Sequence, residues 1–399
     1  MKLGWRRVVV GVAAMAAMAP MVVMVVMVVM VVMMVSWMLA VVVASGQAGS
    51  AGQPLMAEDV FKDVRVLRGL PVNEFMSTMG IFSAALGMSC EDCHAAGGGS
   101  WEDYAIDNPR KQMTRRMVEM MATINKTHFG GRQVVTCYGC HRGADRPKVT
   151  PNLATLYGAP PPDDPNDFIT QAPGAPAADE VLQKYRDALG GAERVATLRS
   201  FTATGVSVGY GPEGEMRPVR IFAQAPNRRT TIIETAGGAS TTTYDGRSGW
   251  ISAPYRPVPV VALAGQELEG ANLDAVLSFP AGLRETLRGW RVGFPILIDD
   301  RVVQVVQGTA PGGALATLYF DDESGLLVRQ VRYAASPVGR LPTLVDYADY
   351  RDVAGVMMPF QWTVTWLDGK DEFELTDVQP NVAIDATRFA RPAPPVPPQ

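Results

Sequence analysis

The sequence predicts a chain of several domains, mainly helical in its first part and α+β in its second, where the strands are mostly antiparallel. Three observations carry that prediction. All four cysteines and two of the three histidines fall in CEDCH at 90–94 and CYGCH at 137–141, each preceded by a helix-favouring stretch. A proline-rich segment, APPPDDPNDFITQAPGAPA, follows them. Beyond it, apolar and polar residues alternate with a period of two, and neither cysteine nor histidine occurs.

The N-terminus comes first in chain order. Lys2, Arg6 and Arg7 precede a run from Val8 to Val43 that carries no charge and consists of Val, Met and Ala with few interruptions. A secretory core needs roughly 7–15 apolar residues and a spanning helix about 20, so the run is long enough for either. Small residues at Ala44-Ser45-Gly46-Gln47-Ala48 offer a cleavage site. A signal peptide and a retained anchor over 1–50 both fit, and the length of the run favours the anchor. The absence of cysteine here excludes a lipid-modified N-terminal cysteine. With cations before the run, the N-terminus is expected on the cytoplasmic side and the rest of the chain on the outer, periplasmic face of a bacterial membrane.

The next unit covers 55–150. Pro71 opens VNEFMSTMGIFSAALGM, a helical stretch that reaches the first CxxCH. A second helix is expected from the cap Asn108, with Pro109 at its first position, to about Asn125. On it Met113, Met117, Met120, Met121 and Ile124 share one face. Gly97–Gly99 and Gly130-Gly131 break the chain, so a helix–loop–CxxCH unit occurs twice.

CxxCH is the attachment signature of c-type haem. Two thiols three residues apart add to the vinyl groups on one edge of the porphyrin, and the adjoining histidine lies under the iron. A four-sulfur zinc site is the competing reading. Zinc, however, has no use for a histidine directly after the second cysteine of both pairs. Two covalently bound haems are therefore expected, one on Cys90, Cys93 and His94, the other on Cys137, Cys140 and His141. A sixth ligand is then needed, Met or His. The methionines before each motif supply candidates, although a methionine stripe at helical spacing also serves as core filler.

NEFMSTM, the CxxCH after it, RRMVEMMATIN and VTCYGCHRG together resemble the cytochrome c subunit of photosynthetic reaction centres. They resemble more closely the diheme proteins grouped with it in non-photosynthetic bacteria. The resemblance spans about 58–150 and implies a mainly α diheme cytochrome c domain. In that family each haem lies along a helix whose methionine is the sixth ligand, which maps onto Met79 for the first haem and Met117 for the second. His128 is read as an exposed loop residue. Its rival roles are to replace Met117 or to ligate a haem in a partner chain.

The stretch 151–176 reads as a semi-rigid linker. From 177 to 392 a helix, ADEVLQKYRDALGG, leads into strands expected near 199–208, 219–225, 301–307, 314–320, 326–333, 360–366 and 372–376. An open, curved, half-barrel-like sheet with helices on one side follows from this pattern. Asp321-Asp322-Glu323 and DYADYRD at 346–352 are read as solvated turn and edge-strand residues. TYDGRSGW, LYFDDESGLLVRQVRY and DYADYRDVAGVMMPFQW loosely resemble the lipoprotein-sorting half-barrel of exported bacterial carriers, which implies a concave face for an apolar ligand. The tail 393–399 is expected to be disordered.

The net charge of −4, with both signs interspersed, argues against a nucleic-acid partner. The expected function is electron relay between redox partner proteins, at the membrane through the N-terminal segment. The alternatives are a diheme peroxidase-type enzyme, which needs an open haem, and a haem-bearing lipid- or partner-binding protein.

Overall fold

A computed structural model describes residues 54–94, 101–158, 169–209, 214–254 and 256–395. The expected signal or anchor at 1–50, the Gly97–Gly99 loop and the end of the tail lie outside them. Among the described residues no helix is long and apolar enough to cross a membrane.

The helical part begins with α1 (Ala57–Val60) and α2 (Val72–Leu86). The first motif forms the single turn α3 (Cys90–Cys93), and α4 (Pro109–His128) follows. The second motif forms α5 (Cys137–His141), and α6 (Leu153–Leu156) ends this part. Helix α2 stops at Gly87, which is left-handed with φ 63°. A side chain there would collide with the carbonyl oxygen of Gly143, so glycine lets the end of α2 meet the turn after α5.

Helix α4 starts as its sequence predicts, with the Asn108 side chain accepting from the Lys111 amide at 3.0 Å and Pro109 at the first position. It ends later than expected, at His128 rather than Asn125. Asn125 does not cap the helix, because it is buried and its side chain is spent on the returning strand of chain. Its Nδ2 donates to Val135 O at 2.7 Å, and its Oδ1 accepts from the amides of Val134 and Val135 at 3.1 and 2.9 Å. The helix runs on for nearly another turn to the left-handed pair Gly130-Gly131.

Six strands form one half of the sheet: β1 (Ser200–Gly209), β2 (Arg217–Gln224), β3 (Arg228–Thr235), β4 (Gly238–Tyr244), β5 (Gly249–Ser252) and β6 (Val260–Ala262). The next four are β7 (Arg288–Val292), β8 (Ile296–Ile298), β9 (Arg301–Thr309) and β10 (Leu315–Asp321). The last four are β11 (Leu327–Ser336), β12 (Gly339–Val353), β13 (Val356–Trp366) and β14 (Gly369–Pro380). They make a 14-stranded sheet in the order β6-β5-β4-β3-β2-β1-β14-β13-β12-β11-β10-β9-β7, with β8 paired to β9. Every pairing is antiparallel.

One face of this open, half-barrel-like sheet is covered by α7 (Ala178–Ala188), α8 (Ala192–Thr197), α9 (Gly265–Val276) and α10 (Leu283–Thr286). Leu318 and Phe320 of β10 point into that core, while Leu315 and Tyr319 join a second cluster on the opposite face. All seven residues of β10 are consequently buried, which accounts for its unbroken LATLYF run. Fully burying a side chain such as Phe320 stabilises the fold by about 1.5–3 kcal/mol.

The two carboxylate runs diverge in outcome. Asp322 and Glu323 are exposed in the β10–β11 turn, as expected, but Asp321 is the buried last residue of β10, its Oδ1 accepting from the Ser324 amide and hydroxyl, both at 2.7 Å. DYADYRD lies instead inside β12, between β11 and β13, so its reading as turn and edge strand is corrected. The charges are tolerated because they are paired across or along the sheet: Asp346 sits opposite Arg329 and bonds it at 2.5 Å, and Arg351 bonds Asp349.

The helical part rests on the sheet part through α2. Asn73 donates to Glu267 at the start of α9, a helix itself tied to β11 by Gln266 Oε1, which accepts from the Ala335 amide at 2.6 Å. Burial first, and the charge of Glu267 second, hold the Glu74 carboxyl above the usual carboxylate range.

Candidate functional site

The first motif is a one-turn helix made by its own residues. Ser89 and Asp92 form a reciprocal capping box, so the orphan amides at the start of α3 are met locally. Cys90 and Cys93, three apart on that turn, share a face, Cys90 exposed and Cys93 half-buried. Outside support comes from the start of α4. Asn108 Nδ2 donates to Cys93 O at 2.7 Å, and Arg110 Nη1 donates to Asp92 O at 2.6 Å.

His94 follows in extended backbone, and its Nδ1 lies 3.1 Å from Tyr104 O. A carbonyl can only accept, so the proton belongs on Nδ1, and Nε2 keeps its lone pair. The His94 ring also stacks on Tyr104, centroids 4.6 Å apart, and Tyr104 in turn meets Trp101 at 5.0 Å. Burial holds the His94 imidazole below the usual histidine range, which favours the neutral form a metal requires.

The second motif repeats the chemistry with different supports. Thr136 caps α5 by accepting from the Gly139 amide at 3.0 Å. His141 Nδ1 lies 2.9 Å from Ala144 O, which again leaves Nε2 for a metal. The Gly143 amide donates to Ala85 O, at the end of α2, at 2.9 Å. Burial pushes the Cys137 thiol up to about 11, whereas Cys140 is exposed. Each motif is thus braced by the helix of the other repeat: the first by α4, the second by α2.

The candidate axial ligands sit on these two helices. Met79 is half-buried on α2 and, like Cys137, borders the apolar cluster of Leu67, Ile81, Ala85, Val118 and Met121. On α4 the methionine face is divided. Met121 is core, at 4 % exposure, Met117 is half-buried, and Met113 and Met120 stand out at 49 % and 47 %. His128 is exposed, as expected, but belongs to the last turn of α4 rather than to a loop.

The residues present fit a porphyrin on each pair. The paired thiols share a helical face, each histidine has Nδ1 engaged and Nε2 available, and Trp101, Ile106, Met113, Met120, Val134 and Tyr138 are exposed on the segments that carry or flank the motifs. A large apolar ring would cover such side chains. They do not fit a shared zinc site: among the described residues no group of three or more His, Cys, Asp or Glu converges as metal ligands would.

Charge differs sharply between the motifs. Segment 89–107 holds Glu91, Asp92, Glu102, Asp103 and Asp107 and no cation. Segment 126–148 holds Lys126, Arg132, Arg142, Arg146 and Lys148 against Asp145 alone. Around the first motif Arg110, Lys62 and Arg115 pair with Asp92, Glu102 and Asp107. Among the described residues none of the five cations of the second segment forms an ion pair.

Several supports were not among the sequence-derived candidates. The carbonyls of Tyr104 and Ala144 carry no side-chain signal, and Asn108 was read only as a helix cap. Val338, which touches the second motif from the sheet, lies about two hundred residues away in sequence.

At 33 % identity over 145 residues, the chain is similar to the photosynthetic reaction center cytochrome c subunit of Rubrivivax gelatinosus, covering 35 % of this chain and 36 % of that protein. The subunit of Thermochromatium tepidum is 35 % identical over 97 residues, 23 % of each chain. The chain therefore spans about a third or less of the length of these curated relatives. Among solved structures, a putative outer membrane lipoprotein-sorting protein domain from Vibrio parahaemolyticus aligns with 53 % of this chain and 94 % of its own, at 14 % identity and TM-score 0.38. A LolA superfamily protein from Nitrosomonas europaea aligns with 53 % of this chain and 97 % of its own, at 14 % identity and the same TM-score of 0.38. Over residues 27–154, which hold both CxxCH motifs, the chain matches the photosynthetic reaction centre cytochrome C subunit family.

Proposed function

We propose that this protein is a diheme c-type cytochrome that relays single electrons between redox partner proteins on the periplasmic side of a bacterial membrane. The observation that carries the reading is the matched pair of histidines, His94 and His141. Each directly follows a CxxC pair, and each has Nδ1 held by a backbone carbonyl, at 3.1 and 2.9 Å. That arrangement fixes the tautomer and points the free nitrogen away from the supporting chain.

In this reading Cys90 and Cys93 hold one haem through thioether bonds, and Cys137 and Cys140 hold the other. His94 and Met79 would ligate the first iron, and His141 and Met117 the second, with His128 the rival of Met117. When bound, each haem supplies a centre that gains or loses one electron. The chain orients the imidazoles, and its apolar side chains would shelter one side of each ring. The N-terminal apolar segment would attach the domain to the membrane, and 177–392 would act as an accessory domain. Thioether ligation would raise the potentials above those of a bis-histidine carrier.

The test is haem content and ligation in the full chain, expressed with c-type maturation. Two covalent haems per chain, low-spin and inert to carbon monoxide when reduced, are expected. A chain without covalent haem overturns the reading. A high-spin haem that binds carbon monoxide would move it toward peroxidase chemistry.

A further inference from the structure

Hairpin tips usually lie in solvent. At the tip between β11 and β12 only Pro337 does. Pro337 and Val338 form a two-residue turn closed by the Ser336–Gly339 pair, and Val338 is 0 % exposed. Its side chain enters the helical core beside Ile81, Ala85, Val118 and Met121, the cluster against which Cys137 packs.

Backbone bonds fix the insertion. The Cys137 amide donates to Val338 O at 3.4 Å, and Gln133 Nε2 donates to Ser336 O at 2.8 Å. The turn is held rigid by Ser336, whose hydroxyl donates to Gly339 O at 2.8 Å and accepts from the Val338 amide at 3.2 Å. The first amides of a helix have no partner within it. In α5 the Thr136 side chain serves Gly139, and the sheet hairpin serves Cys137. In α3, by contrast, Ser89 and Asp92 do this work locally, and the further support comes from α4. One motif is self-sufficient within the helical part. The other is completed by the sheet.

We propose that Val338 is a positioning residue for the second haem motif, through which the sheet domain sets the orientation of the Cys137–His141 turn and of the His141 imidazole. The proposal rests on the reading of 137–141 as a haem attachment site. It gives the accessory domain a role in the redox chemistry: the β11–β12 hairpin is the wall against which one of the two centres is built. Trimming that wall would loosen α5, shift the His141 imidazole that would hold the iron, and leave the first motif untouched.

The experiment uses the full-length holoprotein and an optical redox titration that separates the two centres. The second centre is identified by its loss when Cys137 and Cys140 are both replaced by alanine. Val338→Ala and Gln133→Ala should each displace the second midpoint, or deplete the second haem, with the first midpoint unmoved. Val338→Ile, which keeps the hairpin wall apolar and filled, should stay close to the parent value. If Val338→Ala fails to accumulate, Gln133→Ala, which removes only one hydrogen bond to the hairpin, decides the matter. Two haems with both midpoints unmoved, or with both displaced equally, overturn the positioning role alone. A parent chain with no covalent haem overturns the haem reading and this role with it.

Discussion

Nδ1 of His94 lies 3.1 Å from the carbonyl oxygen of Tyr104, and the two rings stack with centroids 4.6 Å apart. With a haem iron on His94, as proposed, that hydrogen bond would push electron density onto the imidazole, favour the oxidised metal and lower the potential. Tyr104→Ala removes the stack and slackens the bond, so the first haem's midpoint should rise while the second stays put. Tyr104→Phe keeps the stack and should behave as the parent. A redox titration of the three proteins checks this, and equal shifts at both haems would refute it.

Met79→Ala and Met117→Ala should each open one haem. Each single variant is expected to bind one carbon monoxide per chain and to show a lowered midpoint for that haem, whereas the parent and His128→Ala bind none. Carbon monoxide binding by the reduced His128→Ala protein would make His128 the ligand in place of Met117.

Asn125 joins the end of α4 to the approach of the second motif through three side-chain bonds of 2.7, 2.9 and 3.1 Å. Asn125→Ala leaves the Val135 amide and carbonyl without their partner, while the Val134 amide keeps Arg132 O at 3.0 Å, which should cost about 1–3 kcal/mol. Urea unfolding of the holoprotein measures it. A loss below 1 kcal/mol would mean that solvent satisfies those groups.

Glu74 supplies a pH dependence. Its carboxyl is raised in the fold, by burial and then by Glu267, so the unfolded chain gives up that proton more readily. Its contribution is therefore complete below the ordinary carboxylate pKa and is lost as pH rises through the raised value. Glu74→Gln should flatten the decline in the urea midpoint over that window and stabilise the protein near neutrality. An unchanged pH profile would rule this out.

The five unpaired cations of 126–148 should make the second haem the preferred site for anionic reagents. Ferricyanide oxidation of that haem should slow as salt is raised, because a Debye length of about 8 Å at physiological ionic strength already screens the patch. Arg142→Gln with Arg146→Gln should mimic high salt at low salt. Salt-independent rates would show that the patch lies too far from the haem edge to matter.

What could be read from the sequence was chemistry confined to a few neighbouring residues. The CxxCH pairs, the Asn108–Pro109 helix start and the alternating FQWTVTW strand each declare themselves locally, and each stands in the structure. What could not be read depends on distant partners. Asn125 resembles a helix end until its side chain is seen spent on Val134 and Val135. β3 and β4 escape notice because RRTTIIET and GASTTTY do not alternate cleanly, and β12 because its aspartates find arginines in the sheet. Val338 gives no local hint at all, since a valine in a two-residue turn has no reason to be buried until another domain lies over it.

The crossed bracing of the motifs bears on how such proteins lengthen or shorten. The first CxxCH turn leans on Asn108 and Arg110 at the head of the second repeat's helix, and the second leans on Ala85 at the tail of the first repeat's helix. A single helix–loop–CxxCH unit cut from the chain would lose a brace on whichever side it was cut. The smallest module that can be copied, inherited or excised with every support in place is a couple, clasped hand over wrist.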